Sequence, residues 1–76
     1  MEEEPSLAQL RAGQQGQVQG LTTTSSMRRR LQDLGMVPGA FVECVGISPL
    51  GDPAAYRVRG AVIALRRRDA QAVLLY

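Results

Sequence analysis

The side chains that most often perform chemistry in proteins are scarce in this 76-residue sequence. There is no histidine, the commonest general base and metal ligand, and the one cysteine is Cys44. Cys44 stands between Glu43 and Val45, where a lone cysteine typically behaves as a small buried hydrophobic residue. A soft-metal or zinc site would need companions, and the chain offers only carboxylates and the methionines at positions 1, 27 and 36. The sequence therefore predicts a binding module without a catalytic site or a tight metal site.

Length and cysteine use indicate one small domain in a reducing compartment. A chain this short buries roughly 60% of its unfolded surface, and a single cysteine cannot form an intramolecular disulfide. No apolar run is long enough to span a bilayer, and the start of the chain is acidic where a signal peptide is basic. We predict a cytoplasmic protein with a disordered acidic lead-in at residues 1–5 and one domain at 6–76.

The net charge of +2 hides a strongly basic body. After the acidic run Glu2–Glu4, nine arginines face four acids, and no lysine is present. Arginine favours bidentate contacts with carboxylate or phosphate, although a GC-rich genome explains the same bias and is our preferred explanation. With one Phe and two Tyr, the chain lacks the row of aromatic residues on which single-stranded nucleic acids stack.

The apolar pattern predicts a mainly β fold. Alternating or β-rich stretches predict five short strands, at 16–21, 40–47, 56–59, 61–65 and 72–76. In the third, Tyr56 and Val58 are expected to face inward and the arginines at 57 and 59 outward. The spacing of Leu7 and Leu10 predicts one helical turn or an extended segment that packs against the domain. Residues 66–71 are predicted to form a polar turn or one turn of helix. Five strands with brief connections and one short α-helix favour a small, strongly curved barrel.

The predicted helix covers Ser26 to Leu34. Its apolar residues Met27, Leu31 and Leu34 are spaced four and then three apart, so they share one face. Gly35 suits the left-handed position just past a helix end.

Three further glycine-containing segments predict turns. Pro38 and Gly39 suit the middle of a type II turn, and Gly60 allows a tight reversal between two strands. The stretch Pro49–Pro53 is predicted to be a loop, in which Asp52 can accept backbone hydrogen bonds.

Two apolar segments are candidates for contacting a partner. Leu50, flanked by Pro49 and Gly51, is either an exposed anchor or a cover over the open end of the barrel, and we prefer the cover. The helix stripe is core in most proteins, but a short helix can expose one residue at its edge. We hypothesise that the helix and the loop together form a docking surface. Its residues are Met27, Leu31, Leu34, Pro49, Leu50 and Gly51.

Most of the chain resembles the FeoA family, small cytoplasmic accessory proteins of bacterial ferrous-iron uptake. The resemblance extends from Leu7 to Tyr76 and rests on several motifs in order. These motifs are Leu7–Val18, Arg30–Gly39, Pro49–Pro53, Tyr56–Gly60 and Ile63–Arg66. The runs Arg28–Arg30 and Arg66–Arg68 do not belong to the family pattern and inherit no role from it.

The resemblance implies an SH3-like β-barrel and a partner. The partner is the FeoB-type inner-membrane ferrous-iron transporter, whose cytoplasmic part includes a GTP-hydrolysing domain. A similar barrel forms the C-terminal domain of DtxR-type metal-dependent repressors. This chain lacks the DNA-binding and dimerisation helices that precede it there, so we expect a free-standing protein.

The leading hypothesis is a non-enzymatic accessory protein that docks on the transporter and modulates it. It contacts the membrane only through that partner, and no nucleic acid or cofactor is expected. A homo-oligomer and a weak carboxylate site for ferrous iron stay open. The alternatives are an Arg-rich barrel that binds nucleic acid, a metal-responsive regulatory domain, and a GTPase activator. The last would supply a catalytic arginine in trans, from Arg28, Arg29, Arg30 or Arg66.

Overall fold

Five antiparallel strands form one curved sheet in the computed structural model, which describes residues 5–76. The sheet order is β4-β3-β2-β1-β5, so the chain order is kept except that the last strand joins the first. The strands are β1 (Gln15–Leu21), β2 (Phe41–Ile47), β3 (Ala54–Val58), β4 (Ala61–Leu65) and β5 (Val73–Leu75). The predicted mainly β, five-strand fold is confirmed, with a barrel-like curvature.

The helices lie in the connections between the strands. The helix α1 (Ser25–Asp33) joins β1 to β2, close to its predicted limits. A second short helix, α2 (Arg67–Ala70), lies between β4 and β5 and is the single helical turn that residues 66–71 were expected to allow beside the one longer helix. A 3-10 helix spans Leu7–Gln9, as the Leu7 and Leu10 spacing suggested. No helix among residues 5–76 has the length and apolar character needed to cross a membrane.

The inward-facing side chains of the strands, which alternate with outward-facing ones, form one hydrophobic core. Val42 and Cys44 of β2 and Tyr56 and Val58 of β3 are all buried, because successive side chains of a strand point to opposite faces. Val45 lies at a bulge in the β2–β3 register. Bulges bend a strand and increase its twist, which gives so small a sheet its curvature. The core residues are Leu7, Val18, Leu31, Met36, Val42, Cys44, Tyr56, Val58, Leu65, Ala70, Val73 and Leu75.

The N-terminal segment pairs with the outer edge of β5. The Pro5 carbonyl accepts a hydrogen bond from the Leu75 N–H at 2.9 Å, and Ser6 forms a β-bridge with Leu74. Pro5 therefore belongs to the folded unit, which corrects its place in the predicted lead-in. The rest of that predicted segment, residues 1–4, lies outside the described residues.

The end of α1 is a Schellman motif. The Gly35 N–H donates to the Gln32 carbonyl and the Met36 N–H to the Leu31 carbonyl, both at 3.0 Å. Gly35 has φ +106°, and a Cβ there would lie 3.3 Å from a side-chain carbon of Val58. The predicted glycine stop is confirmed, and Gly35 also allows α1 to approach β3 closely.

The turns predicted at Pro38–Gly39 and at Gly60 also form. In the segment from Val37 to Ala40, the Ala40 N–H donates to the Val37 carbonyl at 3.0 Å and Gly39 has φ +90°, as a type II turn around Pro38 requires. Between β3 and β4, Arg59 and Gly60 both have positive φ, 51° and 79°. Positive φ at both central residues defines the type I′ turn, which matches the twist of a hairpin.

Alanine substitutions at Gly35 and Gly39 separate backbone strain from crowding. Both residues have positive φ, but nothing lies within 4 Å of a Cβ built on Gly39. We expect Gly39→Ala to lower the free energy of unfolding by about 1–2 kcal/mol, the cost of a left-handed L-residue. Gly35→Ala should cost measurably more, because its methyl group also meets Val58. Urea denaturation of both variants tests this, and equal losses would contradict the close approach.

Candidate interaction surface

The apolar stripe of α1 belongs mainly to the core. Leu31 is completely buried, and Met27 and Leu34 are half-buried against the core cluster. Leu31 therefore cannot contact a partner in this fold, which corrects its place in the hypothesised docking surface. The physical reason is that a helix of nine residues has one apolar face, and burying that face is what attaches it to the sheet.

The loop between β2 and β3 exposes an apolar tip on a fixed backbone. Leu50 is 93% exposed, so our preferred expectation that it covers the barrel end was wrong. The Gly51 N–H donates to the Ser48 carbonyl at 2.7 Å, and the Ser48 N–H donates to the Pro53 carbonyl at 3.1 Å. These bonds close the loop on itself and turn the Leu50 side chain outward.

A long-range hydrogen bond orients the loop. The Asp52 carboxylate accepts the Arg67 N–H at 3.0 Å, at the start of α2. Asp52 thus accepts a backbone hydrogen bond, as predicted, but from a residue beyond β4. This hydrogen bond joins the loop to the start of α2. A carboxylate is also favoured at the positively polarised N-terminal end of a helix.

An apolar recess of about 130 Å³ lies beside the loop. Ile47, at the end of β2, is 44% exposed and extends the apolar area from the loop to the recess. We call Ile47, Pro49, Leu50 and Gly51 the loop surface. The recess is lined by Ala8, Leu10, Ile47, Gly51, Ala54, Tyr56 and Arg67.

Tyr56 links the recess to the core. Its hydroxyl donates to the Leu7 carbonyl at 3.2 Å in a buried setting. Burial raises the pKa of Tyr56 to about 12, and the nearby Cys44 adds to the rise. The phenol is therefore a neutral donor at physiological pH, and it holds the 3-10 helix against the end of the barrel.

The structure separates the C-terminal end of α1 from the loop surface. Gly35, just past the helix end, lies against Val58 and Arg59, at one end of the β2–β3 hairpin. The Ser48–Pro53 loop is the connection at the other end of that hairpin. Leu34 and Leu50 accordingly do not form one surface, and of the two predicted segments the loop alone projects fully into solvent.

Sequence reasoning missed an exposed aromatic residue at the end of the hairpin near Gly35. Phe41, the first residue of β2, is 67% exposed. It borders a concave region of about 500 Å³ together with Pro38 and Arg59, and we call these three residues the Phe41 surface. The alternation of Phe41 and Glu43 with the buried Val42 was a signal that could have revealed it.

The arginines are distributed over the outside of the protein. The runs Arg28–Arg30 and Arg66–Arg68 are exposed. Arg57 and Arg59 face outward as predicted, and Arg57 lies 3.2 Å from the Glu43 carboxylate. An exposed pair of this kind contributes about 0–1 kcal/mol, so it adds little to the stability of the fold.

Metal-ligating side chains do not converge within the described part of the chain. Cys44 is buried in the core, as expected of a small hydrophobic residue. No group of three His, Cys, Asp or Glu side chains that could hold an ion occurs within residues 5–76. The weak ferrous-iron site therefore stays a prediction, without residues assigned to it.

Comparison with known proteins gives a consistent result. A family model described as the FeoA domain matches residues 6–76. A relative from Porphyromonas gingivalis, described as a Fe(2+) transport protein A/Fe(2+) transporter FeoB fusion protein, is 33% identical over 64 residues. The match covers 84% of this chain but 8% of that protein, so the chain corresponds to a small part of this relative.

Solved structures support the fold. A FeoA-like protein from Clostridium acetobutylicum superimposes with a TM-score of 0.87 at 32% identity, covering all of this chain and 88% of that one. FeoA from Stenotrophomonas maltophilia, solved in complex with zinc, gives a TM-score of 0.82 at 28% identity, with coverage of 93% and 88%. That protein is described as a prokaryotic SH3 domain protein and a suggested activating factor for ferrous iron transport. The SH3-like character expected from the sequence is thereby confirmed.

Truncation of Leu31 tests its place in the core. We expect Leu31→Ala to lower the free energy of unfolding by about 2–5 kcal/mol, because the side chain is completely buried and its loss leaves a cavity. Leu50→Ala is the matched control, since Leu50 is exposed and should change stability by less than about 0.5 kcal/mol. Thermal or urea denaturation measures both, and equal effects would contradict the assignment.

Removal of the Tyr56 hydroxyl tests the buried hydrogen bond. Tyr56→Phe should lower stability by about 1–3 kcal/mol at neutral pH, because the Leu7 carbonyl loses its buried partner.

The same variant has a signature at high pH. In the unfolded chain the phenol ionises near pH 10, whereas the folded protein keeps it neutral until about pH 12. The stability it contributes is thus fully present below about pH 10 and falls as pH rises toward 12. Urea denaturation across this range should show a decline that Tyr56→Phe lacks, and identical declines would exclude Tyr56 as its source.

Proposed function

Because the chain belongs to the FeoA domain family, we propose that it is an accessory protein of ferrous-iron uptake that docks on the cytoplasmic part of a FeoB-type transporter and modulates it. The Porphyromonas gingivalis relative joins a transport protein A segment and a FeoB transporter in one chain. Two proteins whose relatives are fused into one chain are candidates to bind each other when they are separate chains. In this proposal the transporter supplies ion passage and GTP hydrolysis, and the present chain supplies a binding surface.

The observation that carries the docking proposal is the exposure of Leu50. A leucine side chain that is 93% exposed gains about 1.5–3 kcal/mol when a partner buries it. The hydrogen bonds of Ser48 and Asp52 already hold the loop in one conformation, so binding orders little additional backbone. The neighbouring recess and Ile47 extend the apolar contact beyond a single side chain.

A binding role fits the chemistry of the chain better than a catalytic one. Its single thiol is buried, and Tyr56 is a neutral hydroxyl occupied by the Leu7 carbonyl. We propose that the protein alters the transporter's assembly or its rate of GTP hydrolysis by occupying a surface.

Docking is tested by titrating the labelled full chain with the cytoplasmic part of its own organism's FeoB-type transporter, with and without a GTP analogue. We expect NMR shift changes at the loop surface. Leu50→Ala should weaken binding about tenfold or more, because the partner loses a buried leucine side chain. The transporter's GTP hydrolysis is measured in the same samples, so that binding and modulation are read separately.

Phe41→Ala is the matched control in this experiment. It removes a large exposed apolar side chain at the opposite end of β2 and should leave binding unchanged. If Phe41→Ala weakened binding and Leu50→Ala did not, the Phe41 surface would replace the loop surface. Absence of binding by the unaltered chain would overturn the proposal.

A further inference from the structure

The strand β4 is an unprotected sheet edge. Its five residues, Ala61–Leu65, contain no charge and no proline, and its register with β3 is unbroken. Among residues 5–76, no strand pairs with the outer side of β4, whereas Pro5 and Ser6 cover the outer side of β5. Proteins usually protect such edges with charges, prolines or bulges, so an unprotected edge indicates a place where another strand binds.

The hydrogen-bond alternation of the sheet can be followed from β1 outward. In β2, the Cys44 N–H donates to the Gln14 carbonyl at 2.9 Å, so the backbone of Cys44 is directed toward β1. Its neighbour Glu43, which faces Arg57 in the register, must then form its backbone bonds with β3, because successive residues of an antiparallel strand bond to opposite sides.

The same rule fixes the direction of the β4 backbone groups. Since Arg57 bonds to β2, its register partner in β4, Val62, is not bonded to β3. The backbone groups of Ala64, two residues further along β4, point in the same direction as those of Val62. The N–H and C=O groups of Val62 and Ala64 therefore point away from the sheet, where they can pair with an added strand. Both residues are exposed, Val62 by 56%.

Positive charge lies at both ends of this edge. Arg59 precedes β4 across the type I′ turn, and Arg66 follows it directly, and both are exposed. We propose that the β4 edge binds an extended segment of a partner protein, about five residues long and mostly apolar, with acidic residues at both ends. The segment adds a strand to the sheet through the Val62 and Ala64 backbone groups, and its flanking carboxylates pair with the two arginines.

Charge argues against a second copy of this chain as the occupant. An antiparallel pairing of two β4 strands that uses all their outward groups is centred on Ile63. That register would bring the exposed run Arg66–Arg68 of one copy to the end where Arg59 of the other lies, twice, and like charges brought close together are destabilising. A partner with acidic flanks meets the same arginines favourably. The inference concerns a different surface from the loop surface and does not depend on the identity of the transporter as partner.

The test uses the labelled full chain and two synthetic peptides, Asp-Glu-Val-Thr-Val-Thr-Val-Glu-Asp and its counterpart with lysine at every acidic position. With the acidic peptide, amide exchange at Val62 and Ala64 should slow about tenfold, because their free N–H groups become hydrogen-bonded. Exchange at Ile63, which already bonds to β3, should change little. The lysine peptide should bind at least about tenfold more weakly, because it meets the arginines with like charge.

Two variants keep the proposal falsifiable. Ala64→Pro removes one outward donor and should weaken binding about fivefold or more, since an edge strand tolerates proline at such a position. If this variant fails to fold, Val62→Asp keeps every backbone group and should weaken binding of the acidic peptide about tenfold by repulsion. Tyr76→Asp, with the same change in net charge at an exposed residue next to β5, at the opposite edge of the sheet, is the control and should bind normally.

Three results would overturn the proposal. The first is unchanged exchange at Val62 and Ala64 with saturating acidic peptide. The second is equal affinity for the two peptides, which would remove the charge argument. The third is protection of these two amides without peptide at high protein concentration, together with a dimer mass, which would identify the occupant as a second copy.

Discussion

The buried hydrogen bond from the Tyr56 hydroxyl to the Leu7 carbonyl is the constraint on which much of this small structure depends. Tyr56 is the largest fully buried side chain, and a hydroxyl in an apolar core is costly unless it finds a partner. The partner comes from outside the sheet, from the 3-10 helix that precedes β1. Satisfying one polar atom thus fixes the N-terminal segment across the end of the barrel, where Leu7 completes the core and Leu10 lines the recess beside the loop surface.

The position of that segment also decides which sheet edge stays open. Because the segment lies over the barrel end, Pro5 and Ser6 reach the outer side of β5 and pair with it. The sheet has two ends, β4 and β5, and within the described chain this pairing occupies one of them. The edge of β4 is left with free backbone groups. The hydrogen bond that Tyr56 requires in the core therefore influences which sheet edge is available to a partner strand.

Features that depend on neighbouring residues were predictable from the sequence, whereas those fixed by distant contacts were not. The strands follow from alternation, and the end of α1 follows from Gly35, because both signals are local. The orientation of the loop that carries Leu50 involves the bond between Asp52 and Arg67, fifteen positions apart, which no local pattern encodes. The prediction that Leu31 contacts a partner failed because spacing shows that a face is apolar but not what covers it.

The loop surface adjoins one end of the β4 edge. Leu65, the last residue of β4, pairs with Ala54, the first residue of β3, and the loop that carries Leu50 ends just before Ala54. A strand added to β4 therefore runs toward the loop surface at one of its ends. Two modest contacts that a partner makes at once reinforce each other, because the first raises the effective concentration of the second. A small domain can in this way bind a partner specifically through a backbone edge and one exposed leucine.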